Sequence, residues 1–204
     1  MRNLTRTVST TLALTFAFGA TCITGCEKKP FMSDEKLCKV AEDLKLEELD
    51  DVEDYIDAAT SVLEEYEVYY TATGEDALKC YDEVVNYYFG LNFYHIASFT
   101  GYYMYDDDDK NDIWLITFEY DTDAQKFYEE FCEEDFCVSK EGEEKKYEYS
   151  IGSDDIEDSD LECWYGVYAI KDINSVLVIR SVTEDPSFIK DVCEKLKIVS
   201  PTEA

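Results

Sequence analysis

The sequence predicts an α+β domain: a mostly antiparallel sheet built from hairpins, with helices packed on one face and an N-terminal helix before it. Apolar residues recur at helical spacing early in the chain, whereas apolar runs separated by turn residues dominate its last third. The 17 Tyr, 11 Phe and 2 Trp argue against disorder, because disordered acidic chains are poor in aromatic residues. We therefore expect a folded domain.

The first elements are predicted from caps and periodicity. Ser33 is expected to cap a helix that runs to about Leu44 or beyond. The next apolar residues recur at spacings of three and four, although Tyr66 to Ala72 also alternate, which is typical of a strand. We predict a helix to about Glu65, followed by a strand that ends before Gly74.

Another helical face follows Gly74, and residues 113–120 (IWLITFEY) form an apolar run that predicts an inner strand. Thr122 and Gln125 have the spacing of a capping box for the next helix. Residues near 75–84 and 122–131 match at a constant offset of 47, which suggests an internal duplication. Chance similarity is the alternative in a chain so rich in Asp, Glu and Tyr.

The last third predicts three strands and a helix. Residues 147–151 alternate like an edge strand, and residues 163–170 and 175–182 form a predicted hairpin. Asp185 as N-cap and Pro186 at the first helical position open a helix that ends before Pro201. Since no Gly-, Pro- or Ser-rich linker divides the chain, residues 34–200 are predicted to be one domain, with residues 201–204 as a tail.

The N-terminus has the layout of a secretory signal: Arg2 and Arg6 precede an apolar run of 14 residues over 11–24. That run is shorter than the roughly 20 apolar residues of a membrane span. Ile23-Thr24-Gly25-Cys26 then resembles the lipobox of bacterial lipoproteins. The alternative is an ordinary secretory signal in which Cys26 is one more cysteine for a disulfide bond.

The resemblance implies that residues 1–25 are cleaved off after Gly25 and that Cys26 carries diacylglycerol and acyl chains such as palmitate. Two or more chains give stable anchoring. Residues 26–33 are then a short tether, and the domain is predicted to be exported and held at the cell membrane or outer envelope on its extracytoplasmic side.

Charge excludes one class of partner. The whole chain has a formal net charge of −30, and loss of Arg2 and Arg6 with the signal leaves 16 basic and 48 acidic residues, a net of −32. Such a field repels phosphate backbones, so we expect no nucleic-acid partner.

The cysteines suggest disulfides. Six remain once Cys22 is removed and Cys26 is acylated, an even number that favours disulfides in an exported chain; they are Cys38, Cys80, Cys132, Cys137, Cys163 and Cys193. We expect Cys38 to pair with Cys80. The alternative is that several are buried free thiols, and a zinc site is disfavoured because no Cys-x-x-Cys pair occurs.

Catalytic motifs are lacking in the sequence. His95 is the single histidine and has no recognisable nucleophile motif nearby, so we interpret it as a packed or surface residue. Paired carboxylates such as those of glycosidases are not identifiable among 48 acids. An enzyme is therefore the less favoured interpretation, with a carboxylate-based envelope hydrolase as its form.

Two acidic clusters, residues 106–112 and 154–160, lie between or before predicted strands. Calcium binds six to eight oxygens from a bent loop, but neither cluster has EF-hand spacing. We therefore interpret each cluster as a solvated turn, with calcium binding as the alternative; the candidate ligands for calcium are Asp106, Asp108, Asp112, Asp154, Asp158 and Asp160. No other cofactor is expected.

These observations favour a membrane-tethered binding or interaction module for a protein, peptide or glycan outside the cytoplasm. An envelope hydrolase and a cation-binding structural protein remain the alternatives. An exposed aromatic patch would support the binding module, and two facing carboxylates with displaced pKa values in a pocket would support the hydrolase.

Overall fold

The computed structural model describes residues 30–61, 65–106, 109–133, 138–156, 161–171 and 173–204. Within these residues, eight strands form one sheet in the order β1-β2-β3-β4-β8-β7-β6-β5, and only the β1–β2 pair is parallel. The strands are β1 (Glu47–Glu48), β2 (Tyr66–Thr73), β3 (Ile96–Asp106), β4 (Asp109–Phe118), β5 (Val138–Glu143), β6 (Tyr147–Asp155), β7 (Glu162–Ile170) and β8 (Ser175–Thr183). The α+β class and the β7–β8 hairpin are confirmed.

The helices are α1 (Asp34–Leu44), α2 (Val52–Thr60), α3 (Glu75–Cys80), α4 (Asn86–Phe89), α5 (Asp121–Glu133) and α6 (Ser187–Leu196). A π-helical turn, Tyr81–Val85, joins α3 to α4, so residues 75–89 form one continuous helical segment. Ser33 caps α1 as predicted, because its side chain accepts a hydrogen bond from the backbone N of Lys36 at 3.2 Å.

Helices cover both faces of the sheet, and this corrects the prediction of one covered face. Trp114 and Ile116 of β4 join a core with α2, residues 75–89 and α5, which we call the α5 face. Ile113 and Leu115 join a second core with α1 and α6, which we call the α1 face. Because residues 113–116 are apolar at successive positions, this inner strand is buried on both sides.

The edge of the sheet also differs from the prediction. β6 is an inner strand, since it pairs with β7 on one side and with β5 on the other. β5 forms the edge, and its residues 138–143 (VSKEGE) have the charges and the irregular register typical of a protected edge strand. That polar composition is the reason why no strand was predicted there.

The bounds of three helices differ from the prediction. α2 is capped by Asp51, whose Oδ1 accepts from the backbone N of Glu53 at 2.8 Å, and it ends at Thr60; residues 62–64 lie outside the described part. α5 begins one residue before Thr122, so the capping box is not formed. Instead, Gln125 donates from its side chain to Glu129. α6 begins at Ser187, after the predicted cap.

Both ends of the described chain are packed. Met32 is fully buried, and the ring of Phe31 stacks on that of Tyr147 with centroids 5.7 Å apart. Phe31 and Met32, which were predicted to be part of the tether, therefore belong to the folded domain. Residues 201–204 are not a loose tail: Pro201 is buried at the start of a 3-10 helix, Pro201–Glu203.

The two segments suggested to be duplicated lie in α3 with the π turn and in α5. Each follows a strand, β2 or β4, and each packs on the α5 face. After the first segment the chain returns to β3, beside β2, whereas after the second it continues to β5 at the far edge. The duplication stays a prediction.

Candidate binding site

A row of polar and aromatic side chains crosses four neighbouring strands on the α5 face. Tyr103 of β3 pairs with Asp112 of β4, Asp112 with Arg180 of β8, and Arg180 with Tyr165 of β7. Directly paired residues project to the same face of a sheet. The fold therefore places one acid and one arginine side by side between two tyrosines.

Asp112 and Arg180 form an ion pair inside this row. Nη1 of Arg180 donates to Oδ2 of Asp112 at 2.7 Å, while the Asp112 side chain is fully buried and that of Arg180 is 17% exposed. Burial raises the pKa of Asp112, and the nearby Arg180 and Lys110 offset this only in part. The carboxylate lies deeper than the guanidinium, which explains why desolvation prevails on the acidic side.

Lys110 adds a second cation. Its Nζ donates to the hydroxyl of Tyr88 at 2.6 Å and lies 4.9 Å from the centroid of the same ring. The Cζ of Arg180 is 4.7 Å from that centroid, so two cations approach the Tyr88 ring, as in cation–π contacts. Burial, and then Arg180, lower the pKa of Lys110. This π-rich environment partly replaces water around both cations.

The site has more positive than negative charge at close range, because two cations share the carboxylate of Asp112. The Oδ1 atom of Asp112 has no hydrogen-bond partner within the described residues, although buried carboxylate oxygens are normally bonded. Lys110, Arg180, Tyr88 and Tyr165 are all partly exposed, so the group is accessible from solvent. Its two cations can offer hydrogen-bond donors to a ligand oxyanion. We call Lys110, Asp112, Arg180, Tyr88 and Tyr165 the arginine site.

A second, smaller group surrounds the single histidine. Nδ1 of His95 lies 2.9 Å from Oδ2 of Asp123, and the ring of Tyr120 meets the imidazole edge-on at 5.0 Å. The Tyr94 and Tyr120 residues are 70% and 52% exposed. The histidine is thus a surface residue, and the exposed aromatic area beside it is small.

The hypothesised calcium ligands do not come together in the described part of the chain. Asp112 is the buried ion-pair partner of Arg180, so its prediction as a calcium ligand is wrong. Asp154 is exposed near the end of β6, and Asp106 pairs with Asp109 across the β3–β4 hairpin. Asp108, Asp158 and Asp160 lie outside the described residues. Where placement is described, no three His, Cys, Asp or Glu side chains form a metal-binding group.

The described cysteines are free thiols; they are Cys38, Cys80, Cys132, Cys163 and Cys193. The predicted bridge between Cys38 and Cys80 is wrong, because Cys80 belongs to the core of the α5 face and Cys38 packs on the α1 face. The sheet separates them. Cys137 lies outside the described residues.

Two hollows open beside α5. One, of about 380 Å³, includes Asp121 and Glu148, and the other, of about 570 Å³, includes Glu141 and Glu143. Hydrogen bonding to Lys171 lowers the pKa of Glu143. The other described carboxyl group with a displaced pKa is Asp112, four strands away in the sheet. The facing pair that would support a carboxylate hydrolase is therefore not found among the described residues.

Sequence reasoning missed the arginine site, although one signal was present. Arg180 is the single arginine after Arg6, and it interrupts the apolar run SVLVIRSV. A lone charge within a buried strand needs a partner. The sequence does not identify Asp112 as that partner, because its neighbours make it look like the last residue of an acidic turn.

Comparisons with known proteins identify no relative by sequence: no protein-family model matches the chain, and no curated protein matches it significantly. Among solved structures, the chain is similar to the extracellular domain of PknH from Mycobacterium tuberculosis. That similarity has 11% sequence identity and a TM-score of 0.38, and it covers 81% of this chain and 97% of that one. A similarity this distant carries no argument about function. In the described residues, none of the helices has the length and apolar character needed to cross a membrane.

Proposed function

We propose that this protein is a lipid-anchored extracytoplasmic binding module for a protein, peptide or glycan, and that its ligand presents an oxyanion to the arginine site. The anchor rests on the sequence of residues 23–26, which resembles a lipobox. The binding role rests on one observation: Arg180, paired with Asp112, and Lys110 both lie over the Tyr88 ring in a partly open position.

The chemistry of the site favours a carboxylate, phosphate or sulfate group. A guanidinium and an ammonium form charge-assisted hydrogen bonds with oxyanions, and these bonds are stronger than neutral ones. Tyr88 and Tyr165 supply amphipathic walls next to the charges, as tyrosines do in many binding surfaces.

Lys110→Gln tests the binding role with little risk to the fold, because the ion pair between Asp112 and Arg180 is left intact. Two small carboxylates, glucuronate and N-acetylglycine, serve as probes and are titrated into isotope-labelled protein. We expect each probe to shift the NMR resonances of backbone amides around β4 and β8 until the site is saturated. Removal of the Lys110 cation should weaken this binding about tenfold, as the loss of one charge-assisted hydrogen bond of about 1.5 kcal/mol implies.

Lys126→Gln is the matched control, because Lys126 also lies over an aromatic ring, 5.4 Å from the Phe93 centroid, and pairs with Glu130. It is expected to bind both probes like the natural protein. Equal affinities of the two variants, or the absence of saturable shifts in the natural protein, would contradict the proposed binding role.

Cys26→Ala tests the anchor. Without the thiol, diacylglycerol cannot be attached, so the protein should move from the membrane fraction to the soluble fraction and lose the acyl mass. Ser33→Ala, which leaves the lipobox intact, is the control and should stay in the membrane fraction. If Cys26→Ala remained membrane-bound with an unchanged mass, the lipoprotein proposal would be wrong.

A further inference from the structure

Charge is divided unequally between the two helical faces. On the α5 face, α2 with its cap Asp51, residues 75–89 and α5 carry 13 acidic residues and 2 lysines. On the α1 face, α1 and α6 with their C-caps Lys45 and Lys197 carry 6 acidic residues and 6 lysines. The helices of the α5 face therefore carry a net charge of −11, whereas those of the α1 face, counted with their C-caps, are neutral.

The chain enters the domain on the neutral side. Phe31 stacks on Tyr147, and Nζ of Lys36 lies 4.5 Å above the Phe31 ring. The same Nζ donates to the carbonyl of Phe31 at 3.0 Å and to that of Leu196 at 2.9 Å. These contacts fix the entry point between the start of α1, the end of α6 and the start of β6.

The distance from this entry point to the proposed anchor is short. Cys26 precedes Phe31, the residue whose contacts define the entry point, by five residues, and five residues of extended chain reach at most about 18 Å. Whatever path these residues follow, the entry point cannot lie farther than this from the first residue that carries lipid. The domain must therefore turn one particular end toward the bilayer.

Lysines surround that end. Lys145 and Lys146 immediately precede Tyr147 in the β5–β6 turn, and Lys195 and Lys197 flank Leu196 at the end of α6. The acids at this end include Glu144 and Glu194 beside them and Asp34 and Glu35 in the first turn of α1, so lysines and carboxylates are balanced here in a chain whose net charge is −30. We call Lys145, Lys146, Lys195 and Lys197 the entry surface.

We propose that the entry surface rests on anionic phospholipid headgroups and that the α5 face is turned away from the membrane. This inference rests on the proposed lipid anchor at Cys26. Lysines within a Debye length of an anionic bilayer are attracted to it, and carboxylates are repelled. With the tether this short, both forces favour the same orientation of the domain.

The arginine site then faces away from the bilayer. Arg180 lies five residues along β8 from Ser175, which is in the same cross-strand row as Ile170 and Tyr147. Five residues of strand span about 17 Å, and the arginine site is on the opposite face of the sheet from the Phe31–Tyr147 stack. The proposed ligand can therefore approach without crossing the headgroup layer.

Amine footprinting of the acylated full-length protein tests the orientation. The protein is reconstituted either in vesicles of phosphatidylcholine with phosphatidylglycerol or in detergent micelles, treated with a membrane-impermeant amine reagent, and digested for mass spectrometry. Lys145, Lys195 and Lys197 should be labelled several-fold less in vesicles than in micelles. Lys79 and Lys126, on the α5 face, should be labelled equally in both.

Charge reversal supplies a second test on the same protein. Lys145→Glu with Lys195→Glu should restore the labelling of Lys197 in vesicles, whereas the matched pair Lys79→Glu with Lys126→Glu should leave it protected. Protection of Lys79 and Lys126 instead of the entry surface, or equal labelling everywhere, would overturn the proposed orientation. The intact mass of each sample shows separately whether Cys26 carries lipid, so a failed anchor is distinguished from a wrong orientation.

Discussion

At the residue scale, the pairing of Asp112 with Arg180 shows what one-dimensional patterns reveal and what they hide. An acid beside other acids looks like part of a solvated turn, and its cross-strand neighbour is unknown until the register of β4 and β8 is known. His95 was different. The absence of a nucleophile motif around it predicted a packed or surface residue without reference to any tertiary partner, and its side chain is 55% exposed.

Asp112→Asn tests the electrostatics of the pair. Burial raises the pKa of Asp112, so between its ordinary value of about 4 and its raised value the folded state keeps a proton that the unfolded state has lost. Stability from this group is therefore present at low pH and lost as pH rises through that window. The difference in free energy of unfolding, natural protein minus variant, should fall by about 1.4 kcal/mol for each unit by which the pKa is raised.

Urea unfolding of both proteins at a series of pH values measures this difference, and the difference between a protonated Asp112 and an asparagine enters as a constant offset. An increase of the difference with pH would contradict the prediction. It would mean that attraction to Arg180 outweighs desolvation and that the pKa of Asp112 is lowered.

At the element scale, prediction succeeded where a segment carries its own cap or periodicity. Ser33 with the apolar residues of α1 and the two apolar runs of the β7–β8 hairpin are local signals. β5 has no such signal, because an exposed edge strand buries little and is selected for charge. The placement of helices on both faces was also missed, although the apolar run of β4 implied it.

Two helix ends provide a matched test of backbone strain. Gly90 follows α4 with φ of 68°, and Lys45 follows α1 with φ of 66°. A Cβ at Gly90 would contact nothing within 4 Å, so Gly90→Ala should cost about 1 kcal/mol from backbone strain alone. Lys45→Gly should stabilise the protein by about 0.5 kcal/mol, since it removes the same strain at some cost in chain entropy.

Chemical denaturation of the two variants measures both changes. The expected result is opposite signs at two positions with almost the same φ. If both variants were destabilised by the same amount, the left-handed conformation would not be the cause.

At the scale of the whole molecule, the lack of a linker and the length of the chain predict one domain, but they do not predict how charge is distributed between its two faces. The separation of 13 acidic residues on one set of helices from a balanced set on the other appears only when the helices are assigned to faces. Along the sequence, the helices of the α5 face lie between the two helices of the α1 face, so the difference in charge is not visible. The entry point of the chain likewise depends on which strand Phe31 contacts.

Self-repulsion should make the stability of this domain depend on salt. Because the net charge is −30, screening by NaCl is expected to raise the melting temperature. CaCl₂ at matched ionic strength separates screening from specific binding, since a ligand of the folded state alone raises the melting temperature further. An equal rise with both salts would contradict the hypothesis of calcium binding by the acidic clusters.

Burial also makes the thiols of Cys80 and Cys193 unreactive in the folded protein. Burial raises the pKa of both Cys80 and Cys193 to about 12, so the nucleophilic thiolate is on the order of one part in 10⁵ at neutral pH. Oxidants and alkylating reagents therefore meet almost no reactive sulfur at these positions while the cores are closed. Modification of Cys80 or Cys193 would proceed through opening of the core on its face, and the two rates would record how often each side of the sheet is uncovered.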